Sequence, residues 1–142
     1  MGKLKQETDE LINKLVQITA LSFFEDVDDD LIEDILIGWG DAAQSLEEKA
    51  LEFEADPGRK DVLDTIKRTL HTLKGDCGVF GLNKASDIFH EVENLLERYL
   101  EENVCPSEML LSIVDWLNQI LDKLGTGDIY EPDNKPEPDN KP

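Results

Sequence analysis

His71-Thr72-Leu73-Lys74-Gly75-Asp76-Cys77-Gly78-Val79-Phe80-Gly81-Leu82 is the stretch on which the fold and the chemistry of this chain both turn. It completes a pattern in which Val62, Leu63, Ile66, Leu70 and Leu73 recur at helical spacing, so a helix is expected over 59–77. His71 falls off that apolar stripe. Lys67 precedes it by four residues and Lys74 follows by three, which places both lysines on its face of the helix. Gly75 and Gly78 come four and seven residues later, so the stripe beyond the imidazole carries no side chain. The ring is therefore expected at the edge of the core, with room for another protein's site to approach it. An imidazole nitrogen in such a position can act as a nucleophile and carry a labile group.

The rest of the chain repeats the helical pattern and offers no convincing strand. Helices are expected over 3–24, with Leu4, Leu11, Leu15 and Ile18 in one stripe, and over 30–55, with Leu31, Ile35, Trp39, Ala42, Leu46 and Leu51 inward. Gly38 and Gly40 beside Trp39 suit close packing on a neighbour. Asp56-Pro57-Gly58 ends the second helix. A fourth helix over 83–102 carries Ala85, Ile88, Phe89, Val92, Leu95, Leu96 and Tyr99, and a fifth begins at Pro106 and stops at Gly125. Short links between amphipathic helices give an all-α fold, an antiparallel four-helix bundle over 29–125. Residues 1–28 form an additional N-terminal helix, either packed on the bundle or mediating a homodimer. Residues 126–142 hold Glu131-Pro132-Asp133-Asn134-Lys135-Pro136 and its repeat, which cannot build a core and are expected to be a disordered, proline-rich linker or tail.

Charge narrows the partners. A formal net charge of −19 over 142 residues argues against nucleic acid, which needs a basic footprint, and against anionic membrane surfaces. No apolar run approaches the roughly 20 residues that span a bilayer. Two cysteines without a secretory signal do not suggest a disulfide framework, so the cytoplasm is the expected compartment. Against this acidic background, Arg59, Lys60, Lys67, Arg68 and Lys74 face only Asp61 and Asp64 between positions 59 and 74. A phosphoryl group bringing roughly two negative charges would find compensation there. On the fourth helix, Glu93 is the leading carboxylate to accept a hydrogen bond from the His71 ring and fix its tautomer, with Glu97 and Glu91 behind it. His90, three residues before Glu93, is placed to tune that carboxylate. A metal site built from His71, Cys77, His90 and Glu93 lacks a close ligand pair and is disfavoured; no metal and no cofactor is expected.

The run HTLKGDCGVFGL resembles the H-x-x-K-G signature of histidine phosphotransfer domains, and the offsets of His90 and Glu93 resemble the kind found in chemotaxis histidine kinases. The resemblance covers about 30–124. It implies His71 as phosphoacceptor, Lys74 as a countercharge, Glu93 as the ring's hydrogen-bond partner and His90 as an accessory histidine, with Lys67, Gly75 and Gly78 on the partner surface. The implied partners are the ATP-binding domain of a histidine kinase, in cis or in trans, and a receiver domain. No kinase core is expected in this chain, which reads as a phosphoryl-carrier domain rather than an enzyme, either standing alone or as a fragment of a histidine kinase. The alternative is a helical docking module that transfers nothing. Asp76 and Cys77 depart from the small neutral residues usual there, and Asp76 brings a negative charge near the expected phosphate.

Overall fold

A computed structural model describes residues 2–17, 29–79 and 82–126. Five helices are described: α1 (Gly2–Val16), α2 (Asp29–Ala55), α3 (Lys60–Val79), α4 (Asn83–Glu101) and α5 (Ser107–Thr126). Ile18 and the rest of the first expected helix, Phe80 and Gly81 of the signature, and the repeated tail lie outside the described residues. The helix expected to stop at Gly125 runs one residue further, to Thr126.

Packing proceeds around a ring. α2 sits against α5 and α3, α3 against α4, and α1 bridges α4 and α5. The first helix thus closes the bundle. Its stripe Leu4, Leu11 and Leu15 is buried, at 3% exposure or less. Thr8, on the same stripe, donates its hydroxyl to the Leu4 carbonyl at 2.8 Å and pairs with the Tyr99 hydroxyl at 2.6 Å. Glu7 pairs with Arg98, and Lys14 with Glu91. The described part of the apolar face that the homodimer alternative invoked, Leu4, Leu11 and Leu15, is therefore spent inside the chain.

The inward face of α2 corrects the expected one. Ile32, Ile35, Trp39, Ala43, Leu46, Ala50 and Phe53 are buried, while Leu31 and Leu51 are exposed and Ala42 is half-buried. Apolar residues flank the stripe on both sides in this 27-residue helix, so local spacing left its phase ambiguous by one position. Packing on α5 and α3 fixes it. Gly38 and Gly40 are not contact residues either, because a Cβ at either would meet nothing within 4 Å. α3 and α4 keep their expected faces, with Val62, Ile66, Leu70 and Leu73 of α3 buried, Leu63 half-buried, and all seven named residues of α4 buried. Trp116 also belongs to the core, edge-on to Phe89 at 6.1 Å.

The links explain the antiparallel order. After α4 the Val104 amide donates to the Tyr99 carbonyl and the Asn103 amide to the Leu100 carbonyl, which closes the helix with a paired C-terminal cap. Asn103 takes φ 58° to do so, a left-handed conformation that asparagine tolerates better than most residues. The Pro106 carbonyl then accepts the first bond of α5, from Leu110.

Two outcomes test this core. Leu96 is 1% exposed, and Leu96→Ala is expected to lower unfolding stability by about 2–5 kcal/mol in urea denaturation. Cys77 is fully buried and Cys105 exposed. Burial, with a smaller contribution from the neighbouring Asp76 charge, pushes the Cys77 thiol up to about 12. Alkylation with iodoacetamide near pH 8 should modify one thiol in the native chain and both in denaturant; rapid double labelling of the native chain would contradict this packing.

Candidate functional site

The α3–α4 pair is built in antiparallel register, and that register makes the site. Lys67 meets Glu97 at 2.9 Å, His71 meets Glu93 at 3.3 Å, and a Cβ on Gly78 would lie 3.9 Å from the Ser86 hydroxyl. Each step along α3 is matched by an equal step back along α4. Glu93 and Glu97 are four residues apart, as are Lys67 and His71, so both pairs present on facing surfaces. The hydrophobic seam beneath holds them there, since Leu70, Leu73, Phe89, Val92 and Leu96 are all essentially inaccessible.

Glu93 is the junction of the site. Its Oε1 accepts from the Lys74 ammonium at 2.7 Å, and its Oε2 faces the His71 Nδ1 at 3.3 Å. Burial raises the Glu93 carboxyl, but hydrogen bonds from Lys74 and His71 outweigh this and hold it below the usual carboxylate range. An ionised carboxylate only accepts. The hydrogen between the two groups therefore resides on Nδ1, and in the neutral ring Nε2 carries the lone pair. The His71 side chain is 72% exposed, against 23% for Glu93 and 25% for Lys74. A solvent-facing imidazole held from behind by a half-buried carboxylate presents one nucleophilic nitrogen outward.

The remaining expected residues fall as follows. Gly75 and Gly78 are exposed, and a Cβ at Gly75 would meet nothing within 4 Å. Neither glycine serves packing; their effect is to leave the surface beyond the ring low. His90 is exposed on α4, and both Glu93 oxygens are engaged by Lys74 and His71. Glu91, named as a weaker partner for the ring, pairs with Lys14 of α1 instead. Glu97 serves Lys67. Asp76 corrects the expectation of a charge beside the ring, because its Oδ2 accepts from the Trp39 indole nitrogen at 3.2 Å. Five residues along a helix turn it to the flank facing α2. The Trp39–Asp76 bond is the feature that spacing did not disclose, since it joins residues 37 positions apart.

With this geometry established, the chain can be placed. Residues 1–126 match the Hpt domain family, and the chain belongs to it. The match includes α1. Among curated proteins it is similar to the chemotaxis protein CheA of Halobacterium salinarum, 35% identical over 106 residues, which cover 71% of this chain and 16% of that protein. It is also similar to the chemotaxis protein CheA of Treponema pallidum, at 29% over 109 residues covering 74% of this chain and 13% of that protein. The sensor histidine kinase CheAY of Helicobacter pylori is 32% identical over 69 residues, covering 49% of this chain and 9% of that protein. The chain thus spans less than a fifth of the length of these relatives. No solved structure matches it. Among the described residues no helix is long and apolar enough to cross a membrane.

The carboxylate makes a testable claim about the ring. In ¹⁵N-edited NMR, His71 should be predominantly the Nδ1–H tautomer, and Glu93→Gln should shift population toward Nε2–H. A glutamate held low loses its bond only as pH falls through its folded value, below the ~4.3 of a free glutamate. Followed by the ¹³C shift of its side-chain carboxyl, Glu93 should therefore stay ionised on acidification until the unpaired glutamates have protonated. Protonation of Glu93 together with the unpaired glutamates, or before them, would contradict the arrangement.

Proposed function

We propose that this chain is the phosphoryl carrier of a chemotaxis-type two-component system, with His71 Nε2 as the acceptor atom. The observation that carries the reading is the Glu93 carboxylate, which holds Nδ1–H at 3.3 Å and leaves the opposite nitrogen exposed. Membership of the Hpt domain family and similarity to CheA proteins support a histidine phosphotransfer role.

In the first step the Nε2 lone pair attacks the phosphorus of a phosphoryl donor. A bond from Nε2 to phosphorus forms, and the bond to the departing nucleotide oxygen breaks, its electron pair leaving with ADP. The ring gains positive charge as the new bond forms, and the Glu93 carboxylate opposes that charge through Nδ1–H. In the second step an aspartate oxygen of a receiver domain attacks phosphorus, the nitrogen–phosphorus bond breaks, and its electron pair returns to Nε2. Lys74 retains two N–H donors beyond the one spent on Glu93 and can direct them to phosphoryl oxygens. Gly75 and Gly78 leave clearance for the partner's active site, Lys67 borders that surface, and His90 lies on its α4 side as an accessory group. The ATP-binding domain belongs to a kinase acting in cis or in trans, and the pair operates in the cytoplasm.

Incubation with a cognate kinase and ATP should place on the chain a phosphate that is labile to acid and stable to base. His71→Gln should abolish that uptake, while His90→Gln should leave a measurable fraction of it. Uptake unchanged by His71→Gln would overturn the carrier reading.

A further inference from the structure

The basic run over 59–74 does not act as a common pool of charge. Arg59 forms a two-pronged pair with Asp61, at 2.9 and 2.8 Å. Lys67 is matched to Glu97 and Lys74 to Glu93, at 2.9 and 2.7 Å. With His71 neutral, the two lysines and two glutamates that flank it cancel. A phosphoryl group arriving with roughly two negative charges would therefore meet no net countercharge from the α3–α4 ladder, in a chain whose net charge is −19.

Two cations of the run have no acidic partner among the described residues, Lys60 and Arg68. Lys60 lies eleven residues before His71, about 16 Å along the helix axis. Arg68 lies three residues before it, where side chains on one helix face are roughly 5–6 Å apart at Cβ. It is exposed, and it sits on the side of His71 away from the Glu93 and Glu97 pairs. Helical side chains lean over the turn N-terminal to their own Cα, so the imidazole leans toward the turn that carries Arg68. The guanidinium is always charged and offers paired N–H donors that match two oxygens of a phosphoryl group.

We propose that Arg68 is a further phosphoryl-binding residue of this site, supplying the net countercharge that the paired lysines do not. The inference rests on the carrier reading and adds a residue to it. Lys74 fixes the Glu93 carboxylate, and so the ring, and offers its remaining donors; Arg68 brings an unpaired charge to the group the ring carries. Since Arg68 is exposed and forms no hydrogen bond or ion pair among the described residues, replacing it chiefly changes the charge at the phosphoryl group.

The test uses the full chain phosphorylated chemically with potassium phosphoramidate, so that no kinase or receiver contact enters. The readout is the ³¹P chemical shift of phosphohistidine as a function of pH. A unit charge about 5 Å away, in a water-like medium, shifts the phosphoryl group's own titration by roughly half a unit. Arg68→Gln should raise that titration by about this amount, and Arg68→Lys should restore most of the shift. Lys60→Gln, which removes the same charge three turns away, should leave it unchanged. Equal titrations for Arg68→Gln and the parent chain, or an equal shift from Lys60→Gln, would overturn the role of Arg68 while leaving His71 as acceptor. Absence of phosphohistidine from the parent chain would instead strike the carrier reading on which the inference stands.

Discussion

Everything distinctive about this molecule depends on one half-buried carboxylate with two partners. Glu93 divides its oxygens between the Lys74 ammonium and the His71 ring, and each contact constrains the other. Lys74 keeps the carboxylate ionised against the cost of its partial burial, and the ionised carboxylate in turn decides which imidazole nitrogen carries the hydrogen. Remove the lysine and the carboxylate loses the partner that offsets desolvation. Remove the carboxylate and the ring is free to choose its tautomer and to swing. An exposed histidine on a helix is ordinarily a surface residue; this one is exposed and oriented at once, because its support comes from the neighbouring helix.

That support is only as good as the register between α3 and α4. The ladder Lys67–Glu97, His71–Glu93 and Gly78 against Ser86 exists because the apolar seam below it admits one sliding position. α1 contributes from the other side. It packs along α4 and α5, fastening the back of α4 through Glu7–Arg98, Lys14–Glu91 and the Thr8–Tyr99 hydroxyl pair. The helix presenting Glu93 is thus gripped on two sides. Trp39 does comparable work at the far flank of α3, where its indole takes up Asp76 and keeps that negative charge away from the ring.

Much of this was legible in the residues themselves, and the parts that were not share a cause. His71, Lys74, Gly75 and Gly78 lie within one stretch of helix, so their common face follows from 3.6 residues per turn alone. Glu93 was reachable because an antiparallel neighbour with a short link has few registers to choose from. On α2, Ile35, Trp39 and Leu46 face inward as expected, but the rest of the face was misjudged by one position, because Leu31, Ala42 and Leu51 continue the apolar pattern as plausibly as Ile32, Ala43 and Ala50 do. Only contact with α5 and α3 separates them. The Trp39–Asp76 bond and the diversion of Glu91 to Lys14 depend on which helices become neighbours, and local spacing carries no record of that. Pairing likewise redistributes charge: five basic residues looked like a reservoir, whereas the fold commits three of them to carboxylates and leaves Arg68 nearest the ring.

The central claim is that the Glu93 carboxylate directs the chemistry to the outer nitrogen of one histidine. The most direct measurement is phosphorus–nitrogen correlation NMR on the phosphorylated, ¹⁵N-labelled chain, which identifies the atom bonded to phosphorus. The account predicts a single species with phosphorus on Nε2 of His71. Phosphorus on Nδ1 of His71, or on His90, would contradict it.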